Sequence, residues 1–313
     1  MKKCLIVTDG KAGHENQSKA FCRALGFDYD LWPVAYPSAS RKALAYLADR
    51  LGILSDRPFT ADPPPGGDYA AVVCTGSTAF YPGKVIARKR GIPVAAILYP
   101  KGYRLDFDCI LAPVFDHPET RPNIIPIPIN LTVPDPAFYA AGVTAFRERH
   151  TPERPAVAVI VGGPNGFARM SADGMRRDLE RLFALTEGKE RWVTTSRRTP
   201  PEIEAVIESF PFDYTLLYSR DHFNPIPAFV SLCERLFVTA DSTGMISEAV
   251  TFGPSAVEIL MNLTDDTSKF ARLIHHLEEL GAVHVFDGTL GQAAKKVDLS
   301  PAFSRAKTLL RLE

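Results

Sequence analysis

The chain has 313 residues, and its 36 basic and 36 acidic residues give a formal net charge of +0. This length favours two domains of roughly 150 residues each. A composition of 46% hydrophobic and 23% charged residues is typical of a globular protein. Nucleic-acid-binding proteins usually carry a basic excess, so the balanced charge argues against a nucleic-acid partner.

The cysteines and the N-terminus indicate a cytoplasmic protein. The five cysteines are scattered without a CxxC pair, which favours buried, reduced thiols. The apolar run in MKKCLIVTDG is too short for a signal peptide. No segment approaches the ~18 apolar residues of a membrane span, so we expect no transmembrane segment. Peripheral membrane contact through an exposed apolar patch is left open.

Short β-branched runs alternate with amphipathic stretches, which is typical of a parallel sheet covered by helices on both faces. In the first half, strands are predicted at residues 3–8, 70–75, 93–98, 108–113 and 124–127. Helices are predicted there at residues 16–25, 40–51 and 79–90. The charged segment FRERHTPERP (146–155), with its two prolines, then marks the domain boundary.

The second half repeats the pattern. Its strands are predicted at residues 157–161, 192–195, 214–218, 236–239, 256–260 and 282–286. Its helices are predicted at residues 173–186, 201–209, 227–234, 243–252, 268–280 and 301–312. The sequence therefore predicts an α/β protein with Rossmann-like domains at residues 1–150 and 151–313. Two doubly wound domains of this kind are expected to face a central cleft, with ligands at the carboxyl ends of the strands.

The polar loop TDGKAGHENQS (8–18) follows the first predicted strand. Its glycines allow a tight turn, and the amides of the helix start behind it favour anions. The loop offers a dense polar set, namely Asp9, Lys11, His14, Asn16 and Gln17. A glycine turn followed by an ordinary Asn or Ser cap is the alternative interpretation.

The loop VGGPNG (161–166) occupies the corresponding place in the second half. It is neither a GxGxxG fingerprint nor a Walker loop, which needs a lysine followed by Ser or Thr. Gly162 and Gly163 still permit close approach to the backbone, and Asn165 adds a polar side chain.

Two adjacent arginines follow the next predicted strand, in TTSRRTP (194–200). Guanidinium groups bind phosphate oxygens bidentately. Phosphate recognition is therefore predicted for Ser196, Arg197, Arg198 and Thr199. A solvated arginine pair beside a Ser/Thr cap is the alternative.

The segment TADSTGMISEA (239–249) follows a further predicted strand. Asp241 or Ser242 is predicted to cap the helix that begins there. The amides of Thr243 and Gly244 would then point at a ligand.

Glu248 falls near the second turn of that helix, where a carboxylate is placed to accept hydrogen bonds from ribose hydroxyls. A surface carboxylate beside the helix dipole is the alternative. Asn224, in HFNPIPAF (222–229), either orients a ligand or forms an ordinary Asn-Pro turn. Together, the arginine fork, the two helix starts and the carboxylate predict a nucleotide-diphosphate site.

These motifs occur in the same order in the mitochondrial-fission (elongated-mitochondria) protein family, which the chain resembles over nearly its whole length. The matching segments are TDGKAGHENQS, SRRTP, NP (224–225), TADSTGMISEA and KFARLIHHLEELG (269–281). The resemblance implies a GT-B-like fold with a final helix that returns to the N-terminal domain. Some bacterial members are labelled predicted nucleoside-diphosphate-sugar epimerases.

More distantly, the layout is similar to that of the peptidoglycan GlcNAc transferases, which use UDP-GlcNAc. In those enzymes a glutamate in the helix after a late strand binds the ribose, and Glu248 matches that place. Their threonine three residues before the glutamate is replaced by Met245. The resemblance thus implies a UDP-type donor bound by the C-terminal domain.

The sequence and the resemblance together favour a metal-independent glycosyltransferase that moves a sugar from a UDP-type donor to an unidentified acceptor. The nucleotide sugar is expected as a substrate, with no tightly bound cofactor. On the N-terminal, acceptor-side domain, His14 or Asp9 is the expected catalytic base. Two alternatives are a nucleoside-diphosphate-sugar epimerase and a non-catalytic GT-B-like scaffold or sensor related to the fission proteins.

Overall fold

The computed structural model describes residues 2–132 and 135–312. The chain divides into two compact units: Met1–Val133 with Asp298–Glu313, and Pro134–Val297. Each unit contains its own six-stranded, all-parallel sheet. Helices connect all successive strands of the second unit and the first four strands of the first unit. The predicted class of two doubly wound α/β domains is confirmed.

The sheet of the first unit consists of parallel strands buried on both faces, except at one edge. Its strands are β1 (Lys3–Thr8), β2 (Asp28–Pro33), β3 (Tyr69–Thr75), β4 (Val94–Ile97), β5 (Cys109–Pro113) and β6 (Ile124–Ile127). They are arranged in the order β2-β1-β3-β4-β5-β6. The edge strand β2, with the sequence DYDLWP, was not predicted. Most of its side chains are exposed or half-buried, so it lacks the continuous apolar run of the central strands.

The sheet of the second unit also has six parallel strands, but they are arranged in a different order. Its strands are β7 (Ala156–Ile160), β8 (Glu190–Thr194), β9 (Tyr214–Leu216), β10 (Arg235–Thr239), β11 (Ala256–Leu260) and β12 (His284–Val285). They are arranged in the order β12-β11-β10-β7-β8-β9. The core of this unit lies between the sheet and its helices, where the large side chains of Trp192, Phe229 and Phe237 are fully buried.

Ten helices cover the described parts of the two sheets. They are α1 (Ala12–Leu25), α2 (Ala39–Arg50), α3 (Phe80–Arg90), α4 (Pro136–Arg147), α5 (Ala172–Leu185), α6 (Pro201–Glu208), α7 (Ile226–Leu232), α8 (Thr243–Ala249), α9 (Lys269–Glu279) and α10 (Ser300–Leu310). Helix α1 begins at Ala12 rather than at residue 16, which places His14 in its first turn. Glycine at position 13 is tolerated in this terminal turn, although it led us to predict a loop there.

The boundary between the units lies before α4, earlier in the chain than the predicted boundary at residue 150. Phe146 of α4 is fully buried against Trp192, with ring centroids 4.9 Å apart. The charged segment after α4 is also fixed to β8, because Glu190 accepts hydrogen bonds from the amides of Glu153 and Arg154 at 2.5 and 3.1 Å. A segment that resembled a linker is thus an ordered part of the second unit.

The last helix, α10, belongs to the first unit. Phe303 packs against Phe21 of α1 with ring centroids 6.4 Å apart. Nη2 of Arg305 donates a hydrogen bond to the carbonyl of Pro122 at 2.9 Å. The chain therefore returns to the first unit after completing the second.

All five cysteines are buried and unbridged, as predicted. In the part of the chain that the structure describes, no helix combines the length and the apolar character needed to cross a membrane.

Candidate functional site

Each sheet has one position where the connections of neighbouring strands leave in opposite directions. Ligands of doubly wound sheets bind at such positions, beyond the carboxyl ends of the strands. In the first unit the position lies between β1 and β3, and in the second it lies between β7 and β10. Most of the predicted site residues lie in the loops after β1, β7 and β10 or in the helices that follow these loops.

Asp241, two residues after β10, connects the loops of the second unit. Its carboxylate is fully buried. Oδ2 accepts hydrogen bonds from the Gly163 amide at 2.9 Å and from Nη2 of Arg198 at 2.8 Å. Oδ1 accepts a hydrogen bond from Nδ2 of Asn262 at 3.1 Å. One carboxylate therefore holds together the loops that follow β7, β8, β10 and β11.

Gly162 and Gly163 are packed tightly against this network. A Cβ atom on Gly162 would overlap the Asp241 carboxylate, and one on Gly163 would overlap the backbone carbonyl of Arg198. Their amides are also occupied, since Gly162 donates to Oγ1 of Thr239 at 2.8 Å and Gly163 donates to Asp241. The close approach that these glycines permit is therefore an approach of the protein's own chain.

The SRRTP segment forms a tight turn after β8. Oγ1 of Thr199 accepts a hydrogen bond from the Ser196 amide at 2.8 Å and donates one to the Gly162 carbonyl at 2.5 Å. Nη1 of Arg198 donates to the Gly163 carbonyl at 2.6 Å. Arg197, in contrast, is exposed and has no hydrogen-bond or ion-pair partner within residues 2–132 and 135–312. The two arginines thus differ: Arg198 fixes the loops, and Arg197 is open to a ligand.

The two predicted asparagines make local contacts. Nδ2 of Asn165 donates to the Asp241 carbonyl at 3.3 Å, and Oδ1 accepts the Phe167 amide at 2.8 Å. Oδ1 of Asn224 accepts the Ile226 amide at 3.2 Å, directly at the start of α7, and its side chain is exposed. Asn224 therefore forms the Asn-Pro turn that was the alternative interpretation.

The predicted side-chain cap of α8 is wrong. Ser242 occupies the N-cap position, but its side chain bonds no helix amide among the described residues. The Asp241 carboxylate is turned towards Gly163 and Arg198 instead. Thr243 is half-buried and Gly244 is exposed, so the first turn of α8 is reachable from solvent.

Glu248 lies in the second turn of α8, as predicted, and its carboxylate is half-buried. Oε1 accepts a hydrogen bond from the hydroxyl of Tyr139 at 3.1 Å. The Tyr139 ring is stacked on Phe252, with centroids 3.9 Å apart and an angle of 11° between the planes. Burial raises the pKa of the Glu248 carboxyl above its ordinary value, although the Tyr139 hydrogen bond acts in the opposite direction. The carboxylate is thus held in one orientation in a poorly hydrated place.

In the first unit, Asp9 follows β1 and accepts hydrogen bonds from the loop behind it. Oδ1 lies 3.0 Å from Nδ1 of His14 and accepts the Lys11 amide at 3.3 Å. Oδ2 forms an ion pair with Nζ of Lys11 at 3.0 Å. Burial opposes ionisation, but the hydrogen bonds from Lys11 and His14 outweigh it and hold the pKa of Asp9 below its ordinary value. Asp9 is therefore a carboxylate that orients His14.

The His14 ring packs directly over Gly76, in the loop after β3. Gly76 has a φ of +84°, and a Cβ atom there would overlap the imidazole. The side chain of His14 is 26% exposed, so the ring is reachable from solvent. His14 is thus positioned between the carboxyl ends of β1 and β3, where the sheet topology places a ligand.

The other predicted residues of this loop are less constrained. Lys11 is exposed apart from its contact with Asp9, and Asn16 is exposed. Oε1 of Gln17 accepts the amide of Leu131 at 3.4 Å, so Gln17 fixes the chain near the end of the first unit.

Three residues of the two sites were not predicted from the sequence. Asn262 supports Asp241, Tyr139 bonds Glu248, and Gly76 makes room for His14. Asn262 follows a predicted strand, so its position at the carboxyl edge was a usable signal. Tyr139 lies in a helix that was not predicted, and no local pattern marks it.

Several of the predicted side chains are accessible, and three of them supply different chemical groups. They are the cation Arg197, the carboxylate Glu248 and the imidazole His14. No group of three or more His, Cys, Asp or Glu side chains in residues 2–132 and 135–312 is arranged to hold a metal ion.

The sequence profile of the mitochondrial fission ELM1 family matches residues 12–312. The chain belongs to this family. No curated protein matches this ELM1 family member by sequence.

Several solved structures are similar in fold to this ELM1 family member. A protein from Listeria monocytogenes described as a UDP-N-acetylglucosamine 2-epimerase aligns with 99% of this chain and 88% of its own, at 13% identity and a TM-score of 0.52. The UDP-GlcNAc 2-epimerase of Neisseria meningitidis, bound to UDP-GlcNAc, aligns over 99% and 100% at 14% identity and a TM-score of 0.48. MurG of Acinetobacter baumannii aligns over 99% and 92% at 14% identity and a TM-score of 0.47. The match to the Listeria structure agrees with the GT-B-like fold expected from the sequence.

Proposed function

We propose that this ELM1 family member binds a nucleotide-diphosphate sugar of the UDP type in its second unit and transfers the sugar to an acceptor hydroxyl. The observation that carries the proposal is the Glu248 carboxylate, held by Tyr139 in the helix that follows β10. The similar structures support the proposal through their shared fold alone. We also propose a cytoplasmic location, which the buried, unbridged cysteines of the chain support.

In this proposal, Glu248 binds the ribose hydroxyls of the nucleotide. A carboxylate accepts two hydrogen bonds from a vicinal diol, and charged acceptors make the stronger kind of hydrogen bond. Because Tyr139 already fixes the position of Oε1, little side-chain entropy is lost when a ligand binds. The half-buried surroundings strengthen each of these bonds.

Arg197 binds the diphosphate, whereas Arg198 is a positioning residue. The sequence predicted both for phosphate, but Arg198 is paired with the buried Asp241 and with the Gly163 carbonyl. The exposed guanidinium of Arg197 follows β8 and makes no hydrogen bond or ion pair with the residues that the structure describes, so both of its edges can donate hydrogen bonds to phosphate oxygens. Its charge would also stabilise the negative charge that develops on the leaving nucleotide, so the reaction is proposed to need no metal.

His14 is the catalytic base in this proposal. An ionised carboxylate only accepts hydrogen bonds, so Nδ1 of His14 carries a proton towards Asp9 and Nε2 is free to accept one. The acceptor oxygen bonds to the anomeric carbon while its proton passes to Nε2. The bond between the anomeric carbon and the phosphate oxygen breaks, and its electron pair leaves with the nucleotide.

Calorimetric titration with UDP, UDP-GlcNAc and UDP-glucose tests the donor site. We expect binding that Arg197→Ala weakens about tenfold, as for a lost hydrogen bond to a charged group. Arg147→Ala, which removes another exposed arginine of the same unit, is the matched control and leaves affinity unchanged. Absence of binding for all three nucleotides contradicts the proposal. Release of UDP in the presence of an acceptor extract then separates a transferase from a sensor.

A further inference from the structure

The exposed apolar side chains of the molecule are concentrated in one short stretch of the first unit. Nine large hydrophobic residues among those described are exposed. Five of them lie within residues 44–54, and we call them the α2 patch: Leu44, Leu47, Leu51, Ile53 and Leu54. Leu47 and Ile53 are each 54% exposed and Leu51 is 65% exposed. Scattered single exposures are ordinary, but a contiguous group marks an interaction surface.

Helix geometry places three members of this group next to one another. Residues 44, 47 and 51 are spaced at i, i+3 and i+7, so they form one stripe along α2. The core-facing side of α2 is different, because Ala45, Ala48 and Asp49 are buried there. Helix α2 is therefore apolar on an outward face that its own unit does not cover.

The charges around the α2 patch are basic. Arg41 and Arg50 lie on the two sides of the leucine stripe in helical projection, and Arg57 follows it; all three are exposed. The two acidic residues between positions 39 and 57 both form ion pairs with lysines. Asp49 is buried against Nζ of Lys84 at 2.7 Å, and Asp56 pairs with Nζ of Lys89 at 2.7 Å.

We propose that the α2 patch docks the protein on an anionic membrane surface. Leucines that enter the acyl boundary, flanked by arginines at the level of the headgroups, are the pattern of an interfacial helix. In a twofold contact that buried the leucine stripes of two copies, the arginines beside one stripe would lie near those beside the other, which is unfavourable. Negatively charged headgroups satisfy the arginines while the leucines leave water.

The arginines and the leucines should contribute to membrane binding in ways that can be measured separately. Each arginine near an anionic surface increases partitioning about fivefold, and this gain disappears on neutral lipid. Each leucine that is transferred from water contributes about tenfold on either lipid. Binding should therefore need both groups and weaken with salt.

Sedimentation of the full chain with vesicles tests the proposal, using phosphatidylcholine alone and phosphatidylcholine with 30% phosphatidylglycerol (roughly the charge of a typical anionic leaflet). We expect binding to the anionic vesicles that is about 100-fold stronger than to the neutral ones, from three arginines at about fivefold each. We also expect its loss in Leu47→Ser/Leu51→Ser and a reduction of fivefold or more in Arg50→Glu. The matched controls in the second unit, Leu185→Ser and Arg147→Glu, also alter exposed residues and should bind as the wild type does.

Two results would overturn the proposal. One is the absence of sedimentation with either vesicle. The other is a wild-type dimer in analytical ultracentrifugation that Leu47→Ser/Leu51→Ser dissociates, which would assign the patch to a second copy. The substituted side chains are exposed, so we expect every variant to fold. Circular dichroism of each variant checks this and distinguishes a loss of binding from a loss of folding.

Discussion

Nη2 of Arg198 lies 2.8 Å from Oδ2 of Asp241, whose side chain has no exposed surface. This ion pair joins the loop after β8 to the loop after β10 across the position where the second sheet reverses its connections. One of the two arginines that the sequence predicted to bind phosphate is therefore paired within the protein. Its neighbour Arg197 is exposed.

Breaking that pair should destabilise the second unit. Arg198→Ala leaves a buried carboxylate with fewer partners, and we expect a loss of about 2 kcal/mol in unfolding free energy, moderated because the Arg198 side chain is 38% exposed. Urea unfolding measures the change. Asp241→Asn combined with Arg198→Ala should recover part of the loss. An unaltered stability of Arg198→Ala would show that the pair does not fix the loops.

The glycine loop after β7 offers a second test with an internal control. Gly163→Ala forces a Cβ atom against the backbone carbonyl of Arg198. A backbone carbonyl cannot shift without moving the whole loop, so the overlap costs stability. We expect a loss of about 2 kcal/mol or more, typical of overpacking in a tight site. Gly166→Ala, three residues later, has open space around its Cβ position and should be nearly neutral. Equal thermal stability of the two variants would contradict the packing described here.

His14→Gln should separate catalysis from binding. The variant removes the proposed base from the first unit and leaves the nucleotide contacts of the second unit unchanged. We expect the rate of UDP release to fall by about 10²- to 10⁴-fold with unchanged UDP affinity, as for the loss of a general base. Gly13→Ala, one residue earlier and with open space around it, is the control. A His14→Gln variant with full turnover would remove His14 from the mechanism.

Glu190 should make the stability of the second unit depend on pH in acid. Burial opposes its charge, but hydrogen bonds from His150, the amides of Glu153 and Arg154, and Trp192 outweigh it and lower its pKa from 4.5 to about 2. A depressed carboxyl pKa stabilises the fold above pH 4.5, and this contribution is lost as the pH falls towards 2. Its size at neutral pH is about 3 kcal/mol.

Urea unfolding between pH 7 and pH 3 measures this effect. Glu190→Gln should lower stability at pH 7 and flatten its decline with acid. Glu208→Gln, which alters an exposed carboxylate of the same unit, should keep the wild-type slope. If Glu190→Gln also keeps that slope, the network around Glu190 does not control acid stability.

The sequence predicted the central strands well because their apolar runs are long and buried on both faces. It failed at β2, an edge strand whose side chains are largely solvated, and at α4, whose helix was obscured by the charged segment after it. The candidate loops could be predicted because they follow strands. The contacts between these loops could not be predicted. The ion pair of Arg198 with Asp241 depends on the order of the strands in the sheet, and no local sequence pattern contains that order.

The most direct measurement is the affinity of UDP for the wild type and for Glu248→Gln, followed by calorimetry from pH 5 to pH 8. We expect at least tenfold weaker binding in the variant, because an amide is a poorer acceptor for a diol than a carboxylate. Wild-type affinity should rise with pH through the raised pKa of Glu248, and the variant should lack this rise. Glu208→Gln is the control for a carboxylate elsewhere in the unit. Equal UDP affinity of the wild type and Glu248→Gln at every pH would contradict the account.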